Sequence, residues 1–124
     1  MTSTPEQSPV RDLEDLRDRL RAFAQARDWD QFHSPKNLAT ALIVEAAELV
    51  EQFQWLTEQE SADLPAEKRA AVADELADVL VYAVRLADKL DIDLIAAVTA
   101  KMARNEAKYP ADQVRGSAKK YTEY

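Results

Sequence analysis

Two pairs of acidic residues lie inside strongly apolar stretches of this chain. The first pair is Glu45 and Glu48, and the second is Glu75 and Asp78. Residues three apart in an α-helix lie on nearly the same face, so each pair presents two carboxylates side by side. The surrounding apolar residues recur at helical spacing, which predicts that the acids lie on core-facing stripes. The stripe residues are Leu38, Ala41, Leu42, Leu49, Phe53 and Leu56 in the first stretch and Val72, Val79, Leu86 and Leu90 in the second.

Carboxylates on a core-facing stripe need a proton, a paired cation or a metal ion, because a bare buried charge is very costly. Four of them together cannot all be ionised without positive charge. An all-oxygen set of ligands favours Mg²⁺ or Mn²⁺. A ferritin-like di-iron site would instead contain Glu-x-x-His pairs, and the only histidine, His33, lies outside both acidic pairs. The alternative that both pairs simply face water stays open at this point.

The composition predicts an all-α protein of one domain. There is a single glycine among 124 residues and no cysteine, so disulfide scaffolds, thiolate zinc sites and cysteine nucleophiles are excluded. We expect a four-helix bundle subunit with helices at about 10–27, 35–57, 65–90 and 94–108. Ser34 and Pro35 mark the start of the second helix. Residues 58–64 read as a polar linker, 1–9 as a flexible tail, 10–110 as the domain and 111–124 as an irregular tail.

Charge and hydropathy argue against two classes of partner, nucleic acids and membranes. The formal net charge of −7 disfavours a nucleic-acid surface. We find no apolar run long enough to span a membrane and no signal-peptide pattern near Met1, so we expect a cytoplasmic protein without a membrane partner. Because Gly116 is the only glycine, a glycine-rich phosphate loop is impossible.

Divalent cations held by carboxylates most often serve phosphate chemistry, so hydrolysis of a nucleotide is the natural candidate function. Trp29, Trp55 and Tyr82 could stack on a nucleobase, although aromatic residues at helical spacing are more often part of a core. Trp55 follows Glu48 by seven positions, and Tyr82 follows Glu75 by seven. This spacing predicts that each aromatic residue lies on the same helix face as its acidic residue. Lys101 and Asn105 begin a polar stripe that could face phosphates or sugar, or equally a solvated helix flank.

The chain resembles a known family, the all-α nucleoside triphosphate pyrophosphatases of the MazG-like superfamily, and in particular their dCTP pyrophosphatase branch. The similarity covers most of the chain, from about Leu13 to Glu123. The E-x-x-E and E-x-x-D pairs mark the superfamily, and the segments around Trp29 and Trp55 mark the branch. The segments that carry the resemblance are RDWDQFH (27–33), EAAELVEQFQW (45–55), DELADVLVY (74–82), Lys101-Met102 with Asn105, KYP (108–110) and KYTE (120–123).

This resemblance implies a Mg²⁺-dependent hydrolase that converts dCTP, or a modified dCTP, to dCMP and pyrophosphate in nucleotide-pool house-cleaning, with Mn²⁺ as a possible substitute. It implies a homotetramer built as a dimer of dimers. The implied metal ligands and catalytic residues are Glu45, Glu48, Glu75 and Asp78. The implied substrate contacts are Trp29, Asp30, Gln31, Phe32, His33, Trp55, Tyr82, Lys101 and Asn105. The chain departs from the animal members at Leu20, where they carry histidine, and at Glu106, where they carry arginine.

Several alternatives stay open on the sequence alone. The same chemistry could act on another nucleotide, such as dUTP or a damaged nucleotide. A non-catalytic helical oligomerisation module or a nucleotide sensor would use the acidic pairs differently. The sequence leaves undecided the number of metal ions, the carboxylate that acts as base, the pathway served and the choice between tetramer and dimer.

Overall fold

The computed structural model describes residues 8–118, and all the regular structure in that part of the chain is helical. This confirms the all-α prediction. The described residues form six α-helices rather than the predicted four, because two short helices accompany the four long ones. The helices are α1 Leu13–Ala26, α2 Pro35–Glu51, α3 Glu58–Ala62, α4 Ala66–Lys89, α5 Leu94–Lys108 and α6 Ala111–Val114, with a short 3₁₀ helix at Asp30–Phe32 between α1 and α2.

Side-chain caps begin two of the long helices, α2 and α5, where the sequence predicted their starts. Ser34 lies just before α2 and accepts a hydrogen bond from the backbone N–H of Asn37 (3.2 Å), and Pro35 occupies the first turn. Asp93 caps α5 in the same way, accepting from the N–H of Ala96 (3.0 Å). Each cap satisfies a backbone donor that the first turn leaves without a helical partner. The predicted start of both helices is therefore confirmed.

The predicted end of the second helix is wrong. α2 ends at Glu51 and not near residue 57, because the backbone tightens into hydrogen bonds between residues three apart. The N–H of Phe53 bonds to the carbonyl of Val50 (2.9 Å), and that of Leu56 to the carbonyl of Phe53 (2.9 Å). Phe53 and Leu56 therefore lie beyond the helical stripe that contains Glu45.

Part of the predicted linker is also helical. Thr57 and Glu60 form a capping box, in which each side chain accepts a hydrogen bond from the other residue's backbone N–H (3.1 and 2.9 Å). This reciprocal pair satisfies two donors at once and starts α3. In the predicted irregular tail, Ala111–Val114 likewise forms a helix. The predicted tail of residues 1–9 lies mostly outside the described residues, as does the segment 119–124.

The chain divides into two compact units, Met1–Asp91 and Ile92–Tyr124. In the first unit, α2 packs along α4, and α1 packs against α4. Its core consists of small and medium apolar side chains, with Leu38 only 1% exposed, and it also contains one buried charged residue, Arg85. The second unit contains α5 and α6. A single domain over residues 10–110 stays a prediction.

Within the described part of the chain, no helix combines the length and apolar character that crossing a bilayer requires.

Candidate metal centre and nucleotide site

The two acidic pairs meet where α2 packs along α4. Glu45 and Glu48 project from α2 and Glu75 projects from α4, and one carboxylate oxygen from each lies within 4.8 Å of the other two. All three side chains are partly buried. The spacing within α2 puts its two acids on one face, while the contact between the helices brings in the third.

Two carboxylate oxygens in this cluster are buried without a donor. The Oε2 atoms of Glu45 and Glu75 have no hydrogen-bond partner among the described residues. None of the ion pairs in that part of the chain involves Glu45, Glu48 or Glu75. Buried polar atoms are normally satisfied, so these oxygens point to a proton or a cation that the protein itself does not supply.

The electrostatics of the cluster lead to the same conclusion. Burial raises the pKa of the Glu45 carboxyl to about 7, with Glu48, Asp78 and Glu75 adding to the effect. Burial also raises the pKa of Glu75, again helped by Glu48. The neighbouring carboxylates thus disfavour ionisation of Glu45, so near neutral pH this carboxyl partly retains its proton unless a cation replaces it.

The three residues fit a hard divalent cation. Their donor atoms are all carboxylate oxygens, their separation suits shared coordination, and two of the oxygens have no other partner among the described residues. Mg²⁺ and Mn²⁺ prefer such ligands. Asp78, the fourth predicted ligand, is exposed and lies outside the three-residue cluster. Its charge still raises the pKa values of Glu45 and Glu75, so it belongs to the same electrostatic environment.

Residues 28–34 form the connector between α1 and α2. Asp28 adopts the left-handed backbone conformation (φ 54°), which short polar residues tolerate better than others, and the N–H of Trp29 bonds back to the carbonyl of Ala24 (2.9 Å). The Gln31 side-chain amide donates to the Asp28 carbonyl and carboxylate, both at 3.0 Å. These bonds end α1 and turn the chain into the 3₁₀ helix.

The connector is tied to α4 by ionic contacts. The Arg85 guanidinium donates from Nη2 to Asp30 Oδ1 (2.9 Å), and Nη2 lies 3.2 Å from His33 Nδ1. Lys89 Nζ lies 2.7 Å from the same Asp30 oxygen. The hydrogen bonds from Lys89 and Arg85 lower the pKa of the Asp30 carboxyl. Asp30 and His33 anchor the connector in this structure, and their predicted contact with substrate stays a prediction.

The candidate aromatic residues occupy different settings. Trp29 is 46% exposed and packs edge-on against Phe23, with ring centroids 5.7 Å apart, and Phe32 is 60% exposed. Trp55 is 86% exposed and lies beyond the end of α2, so the predicted shared helix face with Glu48 is wrong. Tyr82 is partly buried on α4, two turns after Glu75, so the predicted helical spacing is retained there.

Lys101 and Asn105 are exposed on α5, in the second compact unit. Their predicted contact with a nucleotide stays a prediction.

The comparisons with known proteins give the family. The model of the MazG-like family matches residues 41–124, which include both acidic pairs. The chain belongs to the MazG-like family. The dCTP pyrophosphatase 1 of Mus musculus is 48% identical over 118 residues, which cover 94% of this chain and 69% of that protein. The Rattus norvegicus protein of the same name is 49% identical over 119 residues, with the same coverage of each chain.

A solved structure supports the fold. The crystal structure of a pyrophosphatase from Archaeoglobus fulgidus aligns with this MazG-like chain with a TM-score of 0.76 and 40% sequence identity. The alignment covers 86% of this chain and 99% of that one.

Sequence reasoning missed the ionic residues of α4 in this MazG-like chain. Arg85 and Asp88 were not singled out, although Asp88 accepts hydrogen bonds from Arg85 (3.3 Å) and from Arg21 of α1 (3.1 Å). One signal was available, since Arg85 follows Val81 and Tyr82 by four and three residues and therefore falls on an apolar helix face. A charge at such a position indicates a buried partner.

We predict that the carboxylate cluster destabilises the metal-free MazG-like protein as the pH rises. A carboxyl whose pKa is higher in the folded state binds its proton more tightly there, so stability is lost between the ordinary value of 4.5 and about 7. Glu75 acts in the same direction. In EDTA, Glu45→Gln should raise the melting temperature at about pH 8 by about 5 °C, and by less at about pH 5.

Scanning calorimetry across this pH range measures the effect. Glu51→Gln, which changes an exposed carboxylate on the same helix, is the matched control and should follow the wild-type curve. Burial lowers the pKa of His33 and so contributes with the opposite sign, but this contribution cancels between variant and wild type. Parallel curves for Glu45→Gln and wild type would contradict the prediction.

Proposed function

We infer that this protein is a nucleoside triphosphate diphosphatase that converts dCTP and water to dCMP and pyrophosphate, and so cleans the nucleotide pool. One observation carries this inference, namely the meeting of Glu45, Glu48 and Glu75 in a chain that is 48% identical to a dCTP pyrophosphatase over 94% of its length. The archaeal structural neighbour is also a pyrophosphatase.

We propose Mg²⁺ as the cofactor, with Mn²⁺ as a substitute. Glu45, Glu48 and Glu75 would hold it, with Asp78 as a fourth ligand one turn after Glu75. When bound, the ion supplies Lewis-acid chemistry, which offsets the charge of the triphosphate and makes water more acidic. The buried Oε2 atoms of Glu45 and Glu75, which have no partner among the described residues, support this proposal.

The carboxylates would also handle the proton of the reaction. Attack of water on the α-phosphorus releases a proton, and Glu45 or Glu48 would accept it while orienting the water. Burial keeps the pKa of Glu45 near 7 in the metal-free protein, which shows how strongly its surroundings disfavour a bare charge.

The remaining predicted contacts are each proposed to bind the nucleotide. The exposed rings of Trp29, Phe32 and Trp55 offer flat faces on which a pyrimidine can stack. Tyr82 and His33 are proposed to contact the nucleotide through their polar groups. Lys101 and Asn105 are proposed to contact the phosphates or the sugar. Asp30 accepts a hydrogen bond from Arg85, and Gln31 donates one to Asp28, so both residues stabilise the connector. Their contact with the nucleotide stays a prediction.

Release of pyrophosphate from dCTP tests the activity directly. With Mg²⁺ we expect turnover that EDTA abolishes, because the carboxylates alone cannot offset the charge of the triphosphate. The panel should include dATP, dGTP, dTTP, dUTP and 5-methyl-dCTP, and the cytosine nucleotides should react fastest. If a nucleotide with another base reacts fastest, the proposed reaction stands and the assignment of dCTP as substrate is wrong. If the folded, metal-loaded protein hydrolyses none of these nucleotides, the proposal that it is an enzyme is wrong.

Substitution within the cluster tests the proposed ligands. Glu45→Gln and Glu75→Gln should each lower the rate of pyrophosphate release by at least about 100-fold, because each removes a charged oxygen from the proposed metal site. Glu51→Gln is the control on the exposed part of α2 and should retain the wild-type rate. Circular dichroism should show unchanged helix content. Near wild-type rates for both cluster variants would exclude this cluster as the catalytic site.

We propose that the protein is a homotetramer in the cytoplasm, a dimer of dimers. The exposed apolar side chains of two neighbouring helices support assembly, because monomers rarely leave so much apolar surface in water. They include Ile43, Val44 and Val50 on α2 and Leu76 and Leu80 on α4. Light scattering on the eluted protein should give a mass about four times that of the 14.0 kDa chain. A mass equal to one chain would refute the assembly.

The absence of nucleic-acid binding and the cytoplasmic location stay predictions.

A further inference from the structure

Arg85 is a buried charge that the proposed chemistry does not use. It lies on α4 and is 3% exposed. Its guanidinium donates to Asp30 and His33 of the connector and to Asp88 of its own helix. A guanidinium loses its hydration when it is buried, and planar, well-placed acceptors must replace the lost water. Two of these three acceptors belong to one short segment, so the desolvated charge is directed at the connector.

The contact between Arg85 and His33 determines the form of the imidazole. Arginine has only donor N–H groups, so His33 Nδ1, 3.2 Å from Nη2, must accept with its lone pair. The proton of the neutral ring therefore lies on Nε2. Burial and then the charge of Arg85 lower the pKa of His33, Lys89 acts in the same direction, and Asp30 opposes them. In this tautomer, His33 offers a donor and no free lone pair, so it cannot act as a general base.

The connector also carries the exposed aromatic rings. Trp29 precedes Asp30 and Phe32 precedes His33, the two residues that Arg85 holds, and both aromatic side chains are about half exposed. Within the described residues, His33 Nε2 has no hydrogen-bond acceptor. One segment therefore presents two flat apolar faces and one free N–H, which is the combination that binds a base and an oxygen acceptor of a nucleotide.

We propose that Arg85 is a positioning residue of the nucleotide site. It bonds Asp30 and His33 together, fixes the connector, and holds His33 as the Nε2–H tautomer that donates to the nucleotide. The tautomer follows from the geometry alone, whereas the donation to a nucleotide rests on the proposed function.

The surrounding ion pairs allow Arg85→Met to test the role of Arg85 without leaving an unpaired carboxylate. Asp30 keeps Lys89 at 2.7 Å, and Asp88 keeps Arg21, so the substitution leaves neither carboxylate without a cation. Methionine fills the space of the apolar stem, and the Nε atom that is removed has no partner among the described residues. Exchange of a buried ion for an apolar side chain of similar volume is often tolerated. Arg21→Met is the matched control, because it removes the other arginine bound to Asp88 without touching the connector.

Nitrogen NMR of the single histidine tests the tautomer in the wild-type protein. The neutral ring should show a pyridine-like Nδ1 and a pyrrole-like Nε2. Arg85→Met should give a mixture of tautomers and raise the pKa of His33, because a positive neighbour has been removed. Arg21→Met should keep the wild-type pattern. A wild-type ring protonated at Nδ1 when neutral would overturn the inference without any variant.

Steady-state kinetics with dCTP and Mg²⁺ test the positioning role. Arg85→Met should raise KM by about tenfold and leave kcat within about twofold, because the carboxylate cluster is untouched while binding of the nucleotide is weakened. Arg21→Met should change neither constant. Equal KM values for wild type and Arg85→Met, or an equal rise in Arg21→Met, would overturn it.

The two measurements separate this inference from the proposed function. If the wild-type protein hydrolyses no nucleotide, the proposed function fails, and donation to a nucleotide fails with it. The NMR pattern then still decides whether Arg85 fixes His33. If wild type hydrolyses dCTP and Arg85→Met behaves like wild type in both measurements, only the role of Arg85 fails.

Discussion

The packing of α2 along α4 brings carboxylates of like charge together, and the proposed chemistry depends on this contact. Three carboxylate oxygens lie within 4.8 Å of one another in partly buried surroundings. Lost hydration, and then repulsion, raise the pKa values of Glu45 and Glu75, so the cluster lowers the stability of the metal-free protein where it is ionised. A divalent cation bound at the proposed site would relieve this repulsion and desolvation at the same time. The same carboxylates therefore lower the stability of the metal-free fold and serve the proposed function.

A second ionic system, around α4, differs from the carboxylate cluster because its acids are paired with cations. Both of its acids have a cation within reach, since Asp30 of the connector pairs with Arg85 and Lys89, and Asp88 of α4 pairs with Arg21 and Arg85. These pairs lower the pKa values of both acids. The compensated network joins α1, the connector and α4, whereas the uncompensated cluster joins α2 and α4. One helix therefore carries both a region of structural ion pairs and a region left open for an added cation.

Much of the helical framework could be predicted from local sequence. The starts at Pro35 and Leu94 follow from Ser34 and Asp93, because capping depends on residues within one turn. The end of α2 could not be predicted in this way. The apolar spacing continues through Phe53 and Leu56, but the backbone turns at Gln52 and a capping box at Thr57 begins a new helix. Periodicity measures which residues would share a face, and it does not detect where the helix stops.

The sequence by itself determined the all-α class, the pairing of acids within each helix and their chemical preference for a hard cation, because these depend on spacing and residue type. Only the tertiary structure decided that Glu75 meets Glu45 and Glu48, and that Arg85 joins Asp30 to His33. The physical reason is that the last contact spans more than fifty residues of chain, and such contacts depend on how helices pack. Local propensities carry no information about that packing.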